Sequence, residues 1–394
     1  MKLNKLTQLT AVSIALFGAS SFAASNDALL ELLVKKGVLS ETEATAVAAE
    51  LKEENKGVSF SAKGKETVKL RFNGRMQAQY DALSGEDNGA DLASTNHFYF
   101  RRLFLGVKAN LDNGVYAETV LDFAGDEQPE LAFDKASFGY KFDEKFDAQL
   151  GYQKVPFGIE ETNSSSSLQT IERSAANRFF ADDIDFSSRH MGLHAKGDLG
   201  AGFSYAASLV NAAQGEGSRL LGASNSSNDM AYYGRVQWES NGFTVGVDGG
   251  HQSNNDVVGA DVVAFTGYVN YKFEGLNLLA EYFTADMDAA DDAKGYSLRA
   301  SYKFGKFEPV VRFAHLETDS FVIDTDELIR RSPAGAKGVS GADNEIDSFY
   351  LGMNYYYSPA VTFMAGYENA KAENGAGTDE EKVDGFRARV QVLW

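Results

Sequence analysis

Residues able to do chemistry are sparse in this sequence. His190 and His194 stand four apart, a spacing that lets two imidazoles share a metal ion on a helix. On a strand the same spacing separates them by roughly 13 Å, too far for one ion, so they read as polar lining. The hydroxyl run Ser164 to Ser167 has no Gly-x-Ser-x-Gly setting to expose a nucleophile and reads as a hydrogen-bonding loop. DMDAADDA at 286–293 and TDEEK at 378–382 lack the glycine and terminal glutamate of a calcium loop and read as solvated loops. No phosphate-cradling or dinucleotide fingerprint occurs. With five histidines and no cysteine, the chain is expected to hold no metal, no cofactor and no catalytic residues.

What remains is charge. Residues 154–189 mix the bases Lys154, Arg173, Arg178 and Arg189 with the acids Glu160, Glu161, Glu172, Asp182, Asp183 and Asp185. Side chains of this kind act on ions through their field, and the field depends on what holds them. The whole chain has a formal charge of −19, which argues against a nucleic-acid partner, since phosphate binding relies on clustered Lys and Arg.

The positioning elements follow from periodicity. Residues 1–23 read as a signal peptide: Lys2 and Lys5, then an apolar run through Phe17, then small residues at Ser21 and Ala23. That run is too short to span a bilayer as a helix. Residues 24–60 carry the one helical period: Leu29, Leu30, Leu32, Leu33 and Val34 before Gly37, then a capping box of Ser40 and Glu43. This is expected to be a short periplasmic helical segment. From Thr67 onward, apolar and polar residues alternate in about sixteen runs, joined in turn by short links (LDNG, ESNG, FEG, FGK) and long polar segments. Short turns at one end and long loops at the other describe a transmembrane, antiparallel up-and-down β-barrel over residues 61–394, with its two rims in different compartments.

The last run, VDGFRARVQVLW, shows why closure is expected. Phe386, Ala388, Val390, Val392 and Trp394 share one face, and Arg387, Arg389 and Gln391 the other. A bilayer tolerates strands only where every backbone group is paired, so this strand should close on the first. Phe386 to Trp394 should then meet lipid and serve as an assembly signal for the barrel assembly machinery, and the arginines should meet a water-filled lumen.

One block is specific enough to suggest a family. In QLGYQKVPFGIEETNSSSSLQTIERSAANRFFADDIDFSSRHMGLHAKG, the residues Gly151, Lys154, Pro156, Phe157, Gly158 and Glu160 are followed by Ile171, Glu172 and Arg173, then by Arg189, Gly192 and Gly197. This resembles the phosphate-selective porin O and P family of outer-membrane channels. LLVKKGVLSETEA also looks like that family's periplasmic leader. The resemblance implies a 16-stranded homotrimer in the bacterial outer membrane, with a constriction loop that by position is about 155–185. It implies a cationic lining, which Lys154, Arg173, Arg178 and Arg189 match by position. Lumen-face candidates by alternation are Lys69, Arg71, Arg75, Arg102, Lys108 and Lys135, with Arg387 and Arg389. Such bases also pair with acids such as Glu118 and Asp122 for purely structural ends.

The function expected is passive diffusion of inorganic ions and small hydrophilic solutes, anions such as phosphate being favoured. Lipopolysaccharide and outer-membrane lipids are expected around the barrel. The six acids of the loop leave a general, low-selectivity porin open as an alternative, and long outer loops leave open a non-conducting or enzymatic outer-membrane barrel.

Overall fold

The computed structural model describes residues 58–61, 67–111, 113–124, 131–213, 220, 229–287, 291–330 and 336–394. Two compact units are present, Met1–Arg71 and Phe72–Trp394. In the first, the short strand Val58–Ser61 pairs antiparallel with residues 67–70. The expected signal peptide lies outside the described residues, as does the expected helical segment of residues 24–60 up to residue 57; residues 58–60 are strand instead.

Sixteen strands build the barrel: β1 (Thr67–Asp87), β2 (Thr95–Leu111), β3 (Val115–Asp122), β4 (Ala132–Lys141), β5 (Asp147–Lys154), β6 (Arg189–Gly200), β7 (Phe203–Asn211) and β8 (Met230–Ser240), then β9 (Phe243–Asn255), β10 (Ala260–Phe273), β11 (Leu276–Asp286), β12 (Asp292–Tyr302), β13 (Phe307–Thr318), β14 (Asn344–Ser358), β15 (Val361–Glu373) and β16 (Glu380–Leu393). Each strand pairs with the next. The ring closes where β16 runs antiparallel to β1, from Glu381 opposite Asp87 to Leu393 opposite Arg75. Short and long connections alternate as the sequence predicts. The tightest are two-residue turns, and Asn241–Gly242 shows why they suit those residues: φ is 49° and 82°, the left-handed pair that matches the twist of a hairpin.

The outer wall is apolar because it has no other partner. Phe100, Leu105, Val247, Phe265, Leu298 and Phe386 all stand exposed on it. Aromatic rings gather at the short-turn rim in chains of contact, one through Phe243, Tyr271 and Phe273, another through Tyr302, Phe304, Phe307, Tyr355 and Phe363. Amphipathic and aromatic rings favour the bilayer interface, which sets the height of the wall in the membrane. At the closing seam, Trp394 exchanges both backbone hydrogen bonds with Gly74 (2.9 and 3.1 Å). Its indole lies across the glycine so closely that a Cβ there would come within 2.1 Å of the ring.

Inside, the structure departs from a lumen that is polar throughout. The connection from β5 to β6 folds inward and carries α1 (Ile159–Thr162), α2 (Ala175–Arg178) and a π-turn over Phe179–Asp183. Its Phe157, Phe179, Phe180, Ile184 and Phe186 are fully buried against inward residues such as Val262, Ala264, Phe283 and Ala293 of β10 to β12. The connection from β13 to β14 contributes α3 (Thr325–Ile329), with Ile323, Leu328, Ile329 and Val339 in the same cluster. Large rings on the loop have nowhere else to leave water, so the wall facing them is apolar on both sides.

Candidate permeation site

The inserted loop is fastened at several points by the types of residue that can bond a backbone or a carboxylate. At its start, the Gly158 N–H donates to Asp248 of β9 (2.9 Å), and the Ile159 N–H donates to Glu281 of β11 (2.6 Å). Asp248 is held in turn by a two-pronged bond from Arg235 (2.7 and 2.6 Å). Glu160 accepts from the N–H and hydroxyl of Ser174 (3.0 and 2.8 Å), with Arg299 at 3.8 Å. At the far side of the loop, Glu172 receives Arg101 (3.0 Å) and Arg389 (2.7 Å), and its carbonyl receives Arg312 (2.7 Å). Burial alone would raise the Glu172 carboxyl, but Arg101, Arg389, Arg102 and Arg387 hold it well below the usual carboxylate range.

These fastenings account for several of the bases matched by position. Arg173 bridges to Glu161 (2.9 Å) and donates to the carbonyls of Glu160, Glu161 and Asn163, so it is a strut within the loop. Arg178, 2 % exposed, pairs with Asp182 (2.9 Å) and donates to the Glu327 carbonyl (2.5 Å), joining the two inserted loops. Neither guanidinium is presented to solvent. Beside Arg178, burial with Asp324 and Glu327 nearby pushes the Asp183 carboxyl well above its ordinary value. Arg387 and Arg389 do point inward, but the loops cover them. Arg387 is bound by Asp81 (2.9 Å) and Glu368 (2.7 Å) and donates to the carbonyls of Ile329 and Arg330.

Other bases line an open space. A cavity of about 810 Å³ runs along the inner faces of β1 to β8 and is bounded across the lumen by the turn Thr162 to Ser166. Six cations face it: Arg75, Lys135, Lys154, Arg189, Lys196 and Arg235. Four are neutralised in place. Lys135 pairs with Glu118 (2.8 Å), Lys154 with Glu161 (2.9 Å), Arg235 with Asp248, and Arg189 with Asp134. Burial raises the Glu161 carboxyl, yet Arg173, Lys154 and Arg189 outweigh that and hold it at about 2. Arg75 and Lys196 have no ion pair among the described residues. Arg75 donates to the Ser164 hydroxyl (3.1 Å) and lies 4.2 Å over the Phe104 ring.

The remaining candidates sit as follows. Arg102 is 7 % exposed and donates to Gln77 (3.0 Å); Lys108 is half-buried over the Tyr116 ring (5.1 Å). Lys69 and Arg71 are half-buried on the stretch of β1 that belongs to the first unit. Phe386 is 45 % exposed on the outer wall; Trp394 is 55 % exposed at the seam, packed on Gly74 and bordering the cavity. Asp122, named as a partner for bases, instead accepts the backbone N–H groups of Leu103 and Ala124 (3.0 Å each). His194 bonds Ser208 and the Gly151 carbonyl, and His190 bonds the carbonyls of Asn211 and Ser187, so each imidazole has its own partners.

Sequence reasoning missed Arg235 and Lys196, which alternation on β8 and β6 would place inward, and it missed Arg101 for a better reason. Arg101 and Arg102 are consecutive, and strict alternation sends one of them outward. Both reach the interior, Arg101 to Glu172 and Arg102 to Gln77, so the strand breaks its period there. A register shift opposite Val120 and Leu121 does the same for Asp134 and Lys135. Bulges of this kind double the charge that one strand can turn inward.

Comparisons with known proteins agree with this geometry. Residues 70–248 match the family described as phosphate-selective porin O and P. Porin O of Pseudomonas aeruginosa is 23% identical over 402 residues, covering 82% of this chain and 88% of that protein. Among solved structures, the anion-selective porin from Comamonas acidovorans is similar in fold, with a TM-score of 0.60 at 14% identity over 83% of this chain and 100% of the other. The trimer form of OmpT from Vibrio cholerae matches with a TM-score of 0.52 at 13% identity, over 83% of this chain and 99% of that one. A closed ring of sixteen strands, an inserted loop beside a charged cavity and a family match over residues 70–248 support an outer-membrane porin channel similar to the phosphate-selective porin O and P family.

Proposed function

We propose that the channel passes small hydrophilic solutes and inorganic ions through the cavity along β1 to β8, with a modest preference for anions. The observation that carries the preference is the charge left after pairing. Of six cations at the cavity, four have a carboxylate partner, and among the described residues Arg75 and Lys196 have none. Two unbalanced cations beside a hydroxyl turn favour an anion without trapping it, because rings of Arg or Lys set the sign of the ion a pore admits. Phosphate belongs to this class of solute, and the family resemblance supports it as one that passes.

The reversal potential in a KCl gradient near 0.1 M tests the reading. Arg75→Ala and Lys196→Ala together should lower the anion-to-cation permeability ratio by a factor of about two or more, an effect that fades toward 1 M, where the Debye length is about 3 Å. Arg173→Ala should act on assembly or loop noise instead. An unchanged ratio in the Arg75/Lys196 double variant would overturn the assignment, and added phosphate that neither blocks nor carries current would remove that solute.

The setting follows the same resemblance. An N-terminal signal of residues 1–23 would export the chain, the barrel assembly machinery would insert it, and Trp394 packed on Gly74 would serve that step at the seam. A homotrimer is supported by the fold shared with the trimer form of OmpT from Vibrio cholerae, and lipopolysaccharide would surround the outer rim.

A further inference from the structure

Between the inserted loop and the walls of β1, β2, β13, β15 and β16 lies a buried set of charges that do not cancel. Asp81, Glu172 and Glu368 provide the carboxylates; Arg101, Arg102, Arg312, Arg387 and Arg389 provide the guanidiniums. Arg387 spans Asp81 and Glu368 (2.9 and 2.7 Å), and Arg312 takes the other oxygen of Glu368 (2.9 Å). Arg101 and Arg389 both converge on the same oxygen of Glu172 (3.0 and 2.7 Å). Every carboxylate is used, and the three anions serve four of the five cations.

The excess sits at Arg102 and Arg389. Arg102 has no carboxylate partner among the described residues and makes its one hydrogen bond to the Gln77 side-chain oxygen (3.0 Å). The charges acting on it are mostly of its own sign, Arg101, Arg389 and Arg173, against the carboxylate of Glu172. Arg389 is 2 % exposed, and its Nη1 is buried with no hydrogen-bond partner. The two approach from strands on either side of β1. There Gln77 accepts from Arg102, and Gln79 accepts from Arg389 (2.8 Å). Both glutamines have their own amide groups engaged: Gln77 donates to Gln391 (2.6 Å), and Gln79 to Asp81 (3.0 Å).

We propose that a small inorganic anion resides between Arg102 and Arg389, behind Gln77 and Gln79, as a fixed counter-ion of the loop's attachment to the wall. A guanidinium can only donate and does not lose its proton, so an unpaired one under a covering loop calls for an acceptor rather than for neutralisation. None of Arg102, Arg389, Gln77 or Gln79 lines the cavity, so this anion is a resident of the fold and not a solute in transit. Chloride and phosphate share the accepting chemistry, and the experiment separates them.

Thermal unfolding of the full-length protein in detergent, at constant ionic strength made up with gluconate, reads the site. Titration with potassium chloride, and separately with potassium phosphate, should raise the transition by a few degrees and saturate for the anion that binds. Arg102→Gln should remove that dependence. Identical transitions in gluconate, chloride and phosphate, or a dependence unchanged in Arg102→Gln, would overturn the proposal. Should that variant fail to fold, crystals of the unaltered protein grown in bromide decide it: anomalous scattering between Arg102 and Arg389 is expected for a halide site, and its absence together with a flat phosphate titration refutes the site. The readouts here are stability and scattering, so failure leaves the Arg75 and Lys196 reversal-potential result untouched, and the converse holds.

Discussion

The two sides of the barrel interior answer to different forces. Along β1 to β8 the inner wall is charged, four of the six bases at the cavity are met by an acid and Arg75 by a hydroxyl, and a cavity of about 810 Å³ stays open. From β10 to β16, near the long-loop end, the inner wall carries Val262, Ala264, Phe283, Leu316, Ile346 and Val383, and the loop rings pack onto it. The same loop therefore has one apolar flank that is glued down and one polar flank that faces water. A pore of fixed width needs both: an anchor that does not move, and a lining that does not collapse.

The sharpest way to break that comparison is to remove an anchor. Phe180→Ala deletes a ring stacked on Phe283 at 5.2 Å between centroids and in contact with Phe157, Phe179 and Phe186. A buried Phe→Ala change costs about 3–5 kcal/mol. The expected outcome is a lower thermal transition together with larger, noisier single-channel openings, since the loop would lose its seat while the wall keeps its charge. A quiet channel of normal conductance would show that the polar fastenings alone hold the loop.

A smaller effect is expected from acid. Glu161, with its carboxyl held at about 2, is charged in the folded channel well below the pH at which a free glutamate would protonate. A depressed folded value means that its stabilisation is fully present above the unfolded value and is lost as pH falls through about 2. Conductance and the thermal transition should therefore show no pH dependence from this residue between pH 7 and 5. They should weaken from pH 4 toward 2, and Glu161→Gln should flatten that decline. A decline already complete at pH 5 would assign it to another group.

The smallest effect belongs to the outer wall. Lys371 bridges Glu373 (2.8 Å) and Glu380 (3.1 Å) at an exposed position. Exposed pairs contribute little, so Lys371→Ala should leave stability and selectivity within error. A measurable loss in lipopolysaccharide-containing membranes, absent in detergent, would sharpen the comparison by adding a third surface to it.

Much of this was legible in the sequence. Period-two alternation with turn residues between runs gave sixteen strands and the alternation of short and long links, because side-chain direction along a strand is fixed by geometry. The sealed side also left a trace: in ADVVAFTGYV, apolar residues occupy both faces of β10, Val262 and Ala264 inward, Val263 and Phe265 outward. The partners of Arg173 and Arg178 were not legible, since Glu161 is chosen by how the inserted loop folds back on itself and Glu327 by how the two loops meet. Nor were the doubled inward pairs at Arg101–Arg102 and Asp134–Lys135, where a single extra residue shifts the period and the sequence on either side looks regular.

The seam between β16 and β1 has a consequence for how the molecule is made. The hydrogen bond from Gln77 to Gln391 joins residues 314 positions apart. Closing a flexible loop of that length costs about 5 kcal/mol in chain entropy by the logarithmic rule, before the seam makes its first bond. Until that happens β1 and β16 are bare edges, open to any other strand they meet. The wall can grow by adding neighbours one hairpin at a time, but the step that turns a curved sheet into a channel is a single long-range event. Its rate is set by how firmly the first strand is held while the last one arrives.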